Sequence, residues 1–452
     1  MTTRTVQTSR RRVERRGAQN FEFTRDMVPA LAGNGSIPGF LKEYRRQAWN
    51  AYERLPMPTT KDEPWRRTDL QAIPAADFHL LGEAEAGKQQ VAPPADLLRP
   101  VTGDAYAGQV VLGARGAQVS LDPELAAQGV VFTDLATAER QHPEVLASIL
   151  GQVVRADEGK FAAMTGALAR QGVLLYVPRG VQVTRPLHSI LWGSGTNLAY
   201  FSHILVWLDE GSAVTYVHEA ASNTEIEGQV LHSGIVEILV EAEANLRFVE
   251  LQSWGEHVWN FSHERARVGR DANLDWIFGA IGSRLTKNFS DLDLVGRGAT
   301  GRMSGFYFTD GMQHLDHDTQ QNHLAANTTS DLLFKGALKD HSRSVWQGMI
   351  YVAPGAQKTD GYQANRNLVL SSEARADSIP GLEILADDVR CTHGATVGKV
   401  DADQVFYLRS RGIPYSEAER LIVEGFFDPI MQRIPYDGVR SRFQNAIHEK
   451  MG

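Results

Sequence analysis

Leu208-Asp-Glu-Gly-Ser-Ala-Val-Thr-Tyr216 is answered downstream by Val240-Glu-Ala-Glu-Ala-Asn-Leu-Arg-Phe248, Val268-Gly-Arg-Asp-Ala-Asn-Leu-Asp-Trp276 and Val295-Gly-Arg-Gly-Ala-Thr-Gly-Arg-Met303. Each stretch ends one apolar run, turns on small or polar residues, and opens another. The starting positions 208, 240, 268 and 295 advance by 32, 28 and 27 residues, a strand-turn-strand period of the length of one solenoid coil. Between about 172 and 398 the chain carries short apolar or alternating runs, such as Val173 to Val177, Ile204 to Leu208, Ile235 to Val240, Leu274 to Phe278 and Met349 to Val352, and no convincing helical period. A single coil cannot bury its apolar face alone, so coils stack and cover one another. The expectation is a mainly β protein built on a right-handed parallel β-helix over residues 171–398, with two open ends that need caps.

The flanks supply candidates for those caps. In residues 42–55, Tyr44, Ala48 and Tyr52 recur at spacing four and predict an amphipathic helix, which Pro56, Pro58 and Pro64 end. Residues 28–170 are therefore expected to form a mixed, mainly helical N-terminal region. Beyond Gly398, Asp401 with Gln404 predicts a capped helix to about Arg411, stopped by Gly412 and Pro414, and Ser416 with Glu419 predicts the start of the next. Leu421, Ile422, Phe426, Phe427 and Ile430 give that second helix a broad apolar stripe, suited to packing on the β-helix or to a partner. A third helix is expected after Asp437. Residues 399–452 form the C-terminal helical region on this reading. Arg4, Arg10, Arg11, Arg12, Arg15 and Arg16 mark residues 1–27 as a disordered basic tail.

Composition narrows the class of function. There are 46 basic and 54 acidic residues, a net charge of -8, which argues against nucleic acid as the main partner. One Cys among 452 residues excludes a disulfide framework and suits a reducing compartment, so the cytoplasm is the expected location. Without an apolar run of membrane-spanning length or a secretory apolar segment, no membrane association is expected.

That single thiol is Cys391, in Asp387-Asp-Val-Arg-Cys-Thr-His-Gly-Ala-Thr-Val-Gly398, with His393 two positions on. A protein-bound iron or zinc normally takes four ligands and an iron-sulfur cluster four thiolates, so this chain cannot complete such a site through cysteine alone. Either Cys391 and His393 are a buried thiol and its neighbour, or they are part of a site shared with a second protein. A second polar stretch, Gln313-His-Leu-Asp-His-Asp-Thr-Gln-Gln-Asn-His323, is dense in metal-ligating atoms. On a strand, however, Asp316 and Asp318 face one side while Leu315, His317 and Thr319 face the other, so a polar ladder is the expected reading and a transient iron site the alternative.

Several stretches carry a resemblance: Pro58 to Leu70 (Pro-Thr-Thr-Lys-Asp-Glu-Pro-Trp-Arg-Arg-Thr-Asp-Leu), Gly172 to Gly180, Phe334 to Leu338, Ala356 to Leu368, the Cys391 stretch from Gly381, and Phe406 to Ile413. Together they make the chain similar to the SufB/SufD family, the scaffold subunits of the SUF iron-sulfur cluster assembly complex, on its SufD side. The resemblance implies a non-catalytic scaffold that pairs with a SufB-like sister and docks a SufC-like ABC-type ATPase on its C-terminal helices. It places His393 at the cluster-assembly interface with the sister, able to ligate iron when neutral, with Cys391 contributing a thiolate or supporting the loop. It further implies no stably bound cofactor in the chain alone and a nascent cluster shared with the partner; a flavin stays open as an alternative, since no motif reads for or against it. In SufB-like sisters the turn matching Gln363 to Arg366 carries a cysteine, where this chain has Asn365, which distinguishes it from a SufB.

Other catalytic signatures fail. Gly296-Arg-Gly-Ala-Thr-Gly301 matches a dinucleotide fingerprint in letters but leads into the strand-like Met303 to Phe308, so it reads as a turn. The chain has no Walker A lysine, no His-Glu-x-x-His and no Gly-x-Ser-x-Gly. The remaining rival is a β-helix carbohydrate enzyme using Asp316 and Asp318 as its paired acids.

Overall fold

The computed structural model describes residues 20–29, 37–80, 92–99, 106–114, 116–225, 227–434 and 436–451. Two long sheets face each other. The first runs β4 (Val131–Asp134), β5 (Gln171–Val177), β7 (Leu198–Leu208), β9 (Val230–Val240), β11 (Val258–Val268), β13 (Leu285–Leu294), β15 (His314–His323), β17 (Arg343–Val352) and β19 (Arg375–Ile384), with the short β1 (His79–Leu80) beside β7. The second runs β3 (Gly116–Leu121), β2 (Gly108–Gly113), β6 (Leu187–Trp192), β8 (Ala213–Ala221), β10 (Asn245–Ser253), β12 (Asn273–Ala280), β14 (Thr300–Thr309), β16 (Thr329–Leu338), β18 (Asp360–Val369) and β20 (Arg390–Lys399). From β5 to β20 the chain alternates between sheets and each strand pairs in parallel with the strand two further on, giving eight coils of a β-solenoid.

The repeat follows the expected period with one shift. Backbone pairing aligns Leu208, Val240, Val268 and then Leu294, so the fourth coil begins one residue before Val295. The turns share a physical cause. Gly211, Glu243, Asp271, Gly298, Asn327 and Lys358 occupy one corner at positive φ between 55° and 77°. The N–H of each donates to a carbonyl in the next coil's turn, for example Glu243 to Arg270 and Asp271 to Arg297. The residue that follows each is small, and Ser212, Ala244, Ala272, Ala299 and Thr328 are fully buried. Asp, Glu and Lys at some of these corners carry the steric cost that Gly avoids.

Inside, aliphatic and aromatic layers such as Val206, Ile238, Phe248, Trp276, Leu292, Leu332 and Trp346 fill the space between the sheets. The outer faces are covered separately. On the first sheet, α1 (Gly39–Arg54) and α2 (Lys160–Leu168) lie with the segment around Trp65 against Phe201, Leu231, Phe261 and Leu285. On the second sheet, α4 (Tyr415–Met431) and α5 (Asp437–Met451), which follow α3 (Ala402–Ser410), press Val423, Phe427, Ile430, Val439 and Phe443 onto Phe306, Phe308 and Leu333.

Three expectations shift. Residues 1–19 of the expected tail lie outside the described residues, but its far end is no tail: Phe21 and Phe23 are buried, and Phe23 meets Phe201 edge-on at 5.5 Å. The N-terminal region is mixed, yet β2, β3 and β4 extend both sheets rather than merely capping them. Asp401 caps α3 through the Asp403 N–H, whereas α4 starts at Tyr415 after Pro414, which leaves Ser416 inside the helix with no capping role. Proline at the N-cap presets the entry geometry without a side-chain acceptor.

Candidate functional site

The last coil is unlike the others because, among the described residues, no further strand is stacked on it. β19 and β20 are the end strands of their sheets, so one edge of each has unpaired backbone groups. Residues that occupy lumen-facing positions on β19 and β20 are therefore open. Val397 is 50% exposed, Ile384 38% and Leu382 36%, while their partners one coil in, Val352 and Ile350, are fully buried.

Cys391 and His393 lie on β20 on this open face. Strand alternation puts both on the lumen side, and the register sets Cys391 against Gly361 and His393 against Gln363 of β18. Gly361 makes the packing possible: a Cβ there would sit 3.3 Å from both Cys391 Sγ and His323 Nε2. The thiol is half-buried beside Ile350, Val352 and Ala356, and burial pushes it above its ordinary range. It is thus held protonated more firmly than a free cysteine. His393 is exposed, and beneath it the buried Gln363 amide donates to the Gly381 carbonyl of β19 at 2.8 Å, tying the two sheets together at the mouth. Among the described residues no set of three or more His, Cys, Asp and Glu side chains is placed to hold a metal ion. Cys391 and His393 can therefore offer two of the ligands that such an ion takes.

Asn365 does not sit on a turn as expected. It faces the lumen from β18, fully buried, within the network Asn367 Nδ2 to Asn365 Oδ1 (2.6 Å), Asn365 Nδ2 to Tyr307 Oη (3.3 Å) and Tyr307 Oη to Asn367 Oδ1 (2.5 Å). An amide in that position is satisfied by neighbours and offers no nucleophile.

The Gln313–His323 stretch divides as strand alternation requires. His317 points inward among Phe278, Tyr307 and Phe334, where burial lowers its pKa to about 3 and keeps it neutral. His323 points inward to Thr328 and Ser330, at 2.8 Å from each hydroxyl. Asp316 and Asp318 point outward, and both meet the fully buried Lys287 Nζ, at 3.0 and 3.6 Å. Thr68 covers Asp316 by donating to its carboxylate, and also lies 2.9 Å from His314 Nε2. Two carboxylates bridged by one buried lysine, the first of them covered by Thr68, are not a groove acid pair, so the carbohydrate-enzyme reading has lost its residues.

A second surface was partly legible. The stripe on α4 divides in two: Val423, Phe427 and Ile430 are buried on the solenoid, while Leu421 is exposed, and Ile422 and Phe426 are partly so. With Tyr407 and Leu408 of α3 they line a groove of about 840 Å³, edged by Lys399, Asp401 and Asp403. Phe406 and Tyr407 are 73% and 57% exposed. Sequence reasoning quoted the stretches that hold these α3 aromatics and Leu382, Ile384 and Val397 only for their family resemblance, and did not read any of them as exposed. The strand residues have the same pattern as inner coils, and only their place in the last coil exposes them.

Comparison with known proteins agrees with this architecture. A family model described as the SufBD core domain of SUF system FeS cluster assembly matches residues 191–426, and one described as the SufBD protein N-terminal region matches residues 34–188. The iron-sulfur cluster assembly protein SufD of Bacillus subtilis is 32% identical over 419 residues, covering 92% of this chain and 94% of that protein. An iron-sulfur cluster assembly SufBD family protein of Staphylococcus epidermidis is 29% identical over 429 residues, covering 92% and 90%. With both regions matched and a relative this similar along nearly its whole length, the chain belongs to the SufB/SufD family of SUF-system iron-sulfur cluster assembly proteins and is a homologue of SufD.

Proposed function

We propose that this chain is the SufD-type scaffold of a cytoplasmic SUF complex, non-catalytic by itself, that pairs with a SufB-like sister through the open end of its solenoid and docks a SufC-like ABC-type ATPase on its C-terminal helices. The observation that carries the reading is the uncovered last coil, where unpaired strand edges, exposed apolar side chains and the His393/Cys391 pair share one face. A strand edge of this kind is a template for a second chain. The incomplete ligand set fits an iron-sulfur cluster as cargo, assembled between two subunits. His393, exposed over Gln363, is the ligand that needs least rearrangement, and Cys391 lines the rim with its proton retained. The α3–α4 groove, apolar in its walls and charged at its edges, supports the ATPase-docking part. No cofactor is assigned to the chain alone, and no residue is proposed as a flavin ligand.

The test is co-expression with the SufB-like and SufC-like partners, followed by iron and sulfide analysis of the purified complex. His393→Ala should leave subunit stoichiometry intact and reduce cluster content at least fivefold, with Cys391→Ser milder if the thiol only supports the rim. The isolated chain should hydrolyse no ATP and hold no stoichiometric cluster after anaerobic reconstitution. Unchanged cluster content in His393→Ala would remove the reading of this site.

A further inference from the structure

The solenoid corner that joins the first sheet to the second changes character along its length. Asp209, Glu241, Gly269, Val295, Leu324, Ala353 and Leu385 are stacked at this corner, since from Asp209 to Leu385 each donates its N–H to a carbonyl of the coil below. The three positions farthest from the open end are acidic or Gly. The four nearest are apolar, and Val295, Leu324 and Leu385 are 42%, 44% and 50% exposed. Isolated surface aliphatics are ordinary, but an in-register column is not scattered. At about 4.8 Å per coil it extends roughly 14 Å down the flank. The column is also continuous with the open end: Ala353, Ala386, Val389 and Cys391 pack on the same small cluster of Ile350, Val352 and Ala356.

We propose that the subunit capping the open end does not stop there but folds over this corner, burying Val295, Leu324 and Leu385 against an apolar surface of its own. The occupant is the sister scaffold subunit, so the inference rests on the end-capping reading above and adds to it a lateral overlap of about three coils. The reason is continuity. A partner that covers Val397, Leu382 and Ile384 at the mouth meets Leu385 next, and the apolar column leads it away from the mouth until the corner turns to Gly269 and Glu241. Beyond that point the same corner would oppose an apolar partner with the polar side chains of Glu241, Asp209 and Glu210.

Affinity of the purified chain for an immobilised SufB-like subunit tests this. The double variant Val295→Lys/Leu324→Lys should bind at least tenfold more weakly with unchanged melting temperature, because both side chains sit at a turn outside the core. Glu241→Lys, on the same corner three coils down from Leu324, should bind within twofold of wild type. Val397→Lys reports on the mouth itself. If it weakens binding while the double variant does not, the overlap is wrong and end-capping stands. If neither variant weakens binding, end-capping fails and the overlap fails with it. A concentration-dependent homodimer that the double variant abolishes, with sister affinity unchanged, would assign the corner to a second copy of this chain and overturn the proposal.

Discussion

Lys287 has no exposed side-chain surface, and its charge is met by Asp316 at 3.0 Å and Asp318 at 3.6 Å. Asp316→Asn removes the closer carboxylate and leaves the buried ammonium only the longer contact to Asp318, so it is expected to cost about 3 kcal/mol in urea unfolding, at the low end for a broken buried pair. Asp318, which keeps 28% of its side-chain surface, should cost less than about 1 kcal/mol as Asn. A second buried system lies in the lumen, where Glu250 and Glu264 share a small cavity with His218 and His232. Burial, then the Glu264 carboxylate, hold Glu250 well above the usual range, while Glu264 accepts from Asn288 (2.6 Å) and Ser290 (3.0 Å). A carboxyl with a raised folded pKa keeps its proton folded and loses it unfolded, so its contribution falls as pH rises from about 4.5 upward. Glu250→Gln mimics the protonated form, and its melting temperature should exceed that of wild type at pH 8 but not at pH 4.5. Alternation along β15 put Asp316 and His317 on opposite faces from sequence alone. That Lys287, from the neighbouring strand, stands between the two acids came only from strand register.

At the scale of elements, the corner ladder and the C-terminal helices carry the clearest consequences. Gly298 has φ of 77°, and a Cβ there would lie 2.1 Å from Asp271 Oδ1. Gly298→Ala should cost about 1–2 kcal/mol, from the left-handed backbone penalty, and the same change should show no loss of family-partner binding. On α4, Phe427 is 1% exposed and meets Phe443 edge-on at 4.7 Å. Phe427→Ala should cost about 3–5 kcal/mol and raise proteolytic cleavage within residues 411–452, while Leu421→Ala, on the exposed face, should change stability little and weaken binding of the ATPase proposed to dock there. Lys335 marks the same junction. Its ammonium sits 4.6 Å over the Phe426 ring and donates to the Phe426 carbonyl, near Pro429, which lacks an N–H to donate within the helix. Burial lowers that lysine to about 8. The apolar stripe was visible in the sequence as one broad face. Its division into a packed half and an open half depends on how α4 is rotated against β14 and β16, which no local pattern encodes.

Across the whole molecule, buried imidazoles lie both in the lumen (His218, His232, His317 and His323) and under the elements that cover the first sheet (His263 and His314). Burial lowers His218 and His317 to about 3, and His232, His263, His314 and His323 to about 4. Each stays neutral in the folded chain and takes a proton once unfolded below its ordinary value of 6.5. The unfolded state therefore binds more protons between about pH 6.5 and 4, and stability must fall as pH falls through that window. Each imidazole contributes at most on the order of 3 kcal/mol to this loss. The expected result is a steep decline of melting temperature below pH 6.5, flattened in His317→Gln; a flat profile from pH 7 to 4 would contradict it.

The period of the turns, the strand alternation and the helix-forming flanks were enough to specify a β-solenoid with helices at both termini, because coil stacking and amphipathicity are local, repeating properties of the chain. They also sufficed to set Cys391 and His393 apart, since these are the only thiol and a neighbouring imidazole in a stretch resembling one family. What only the tertiary structure decided is which copies of the repeat are covered. Phe21 and Phe23 proved to be core because the first sheet offers them Phe201, and Asp316 proved inaccessible because Thr68 lies over it. Leu382, Ile384 and Val397 look in sequence like any lumen residue, yet they are open because stacking ends with their coil, and the end of a stack is a property of the assembled fold rather than of any one repeat.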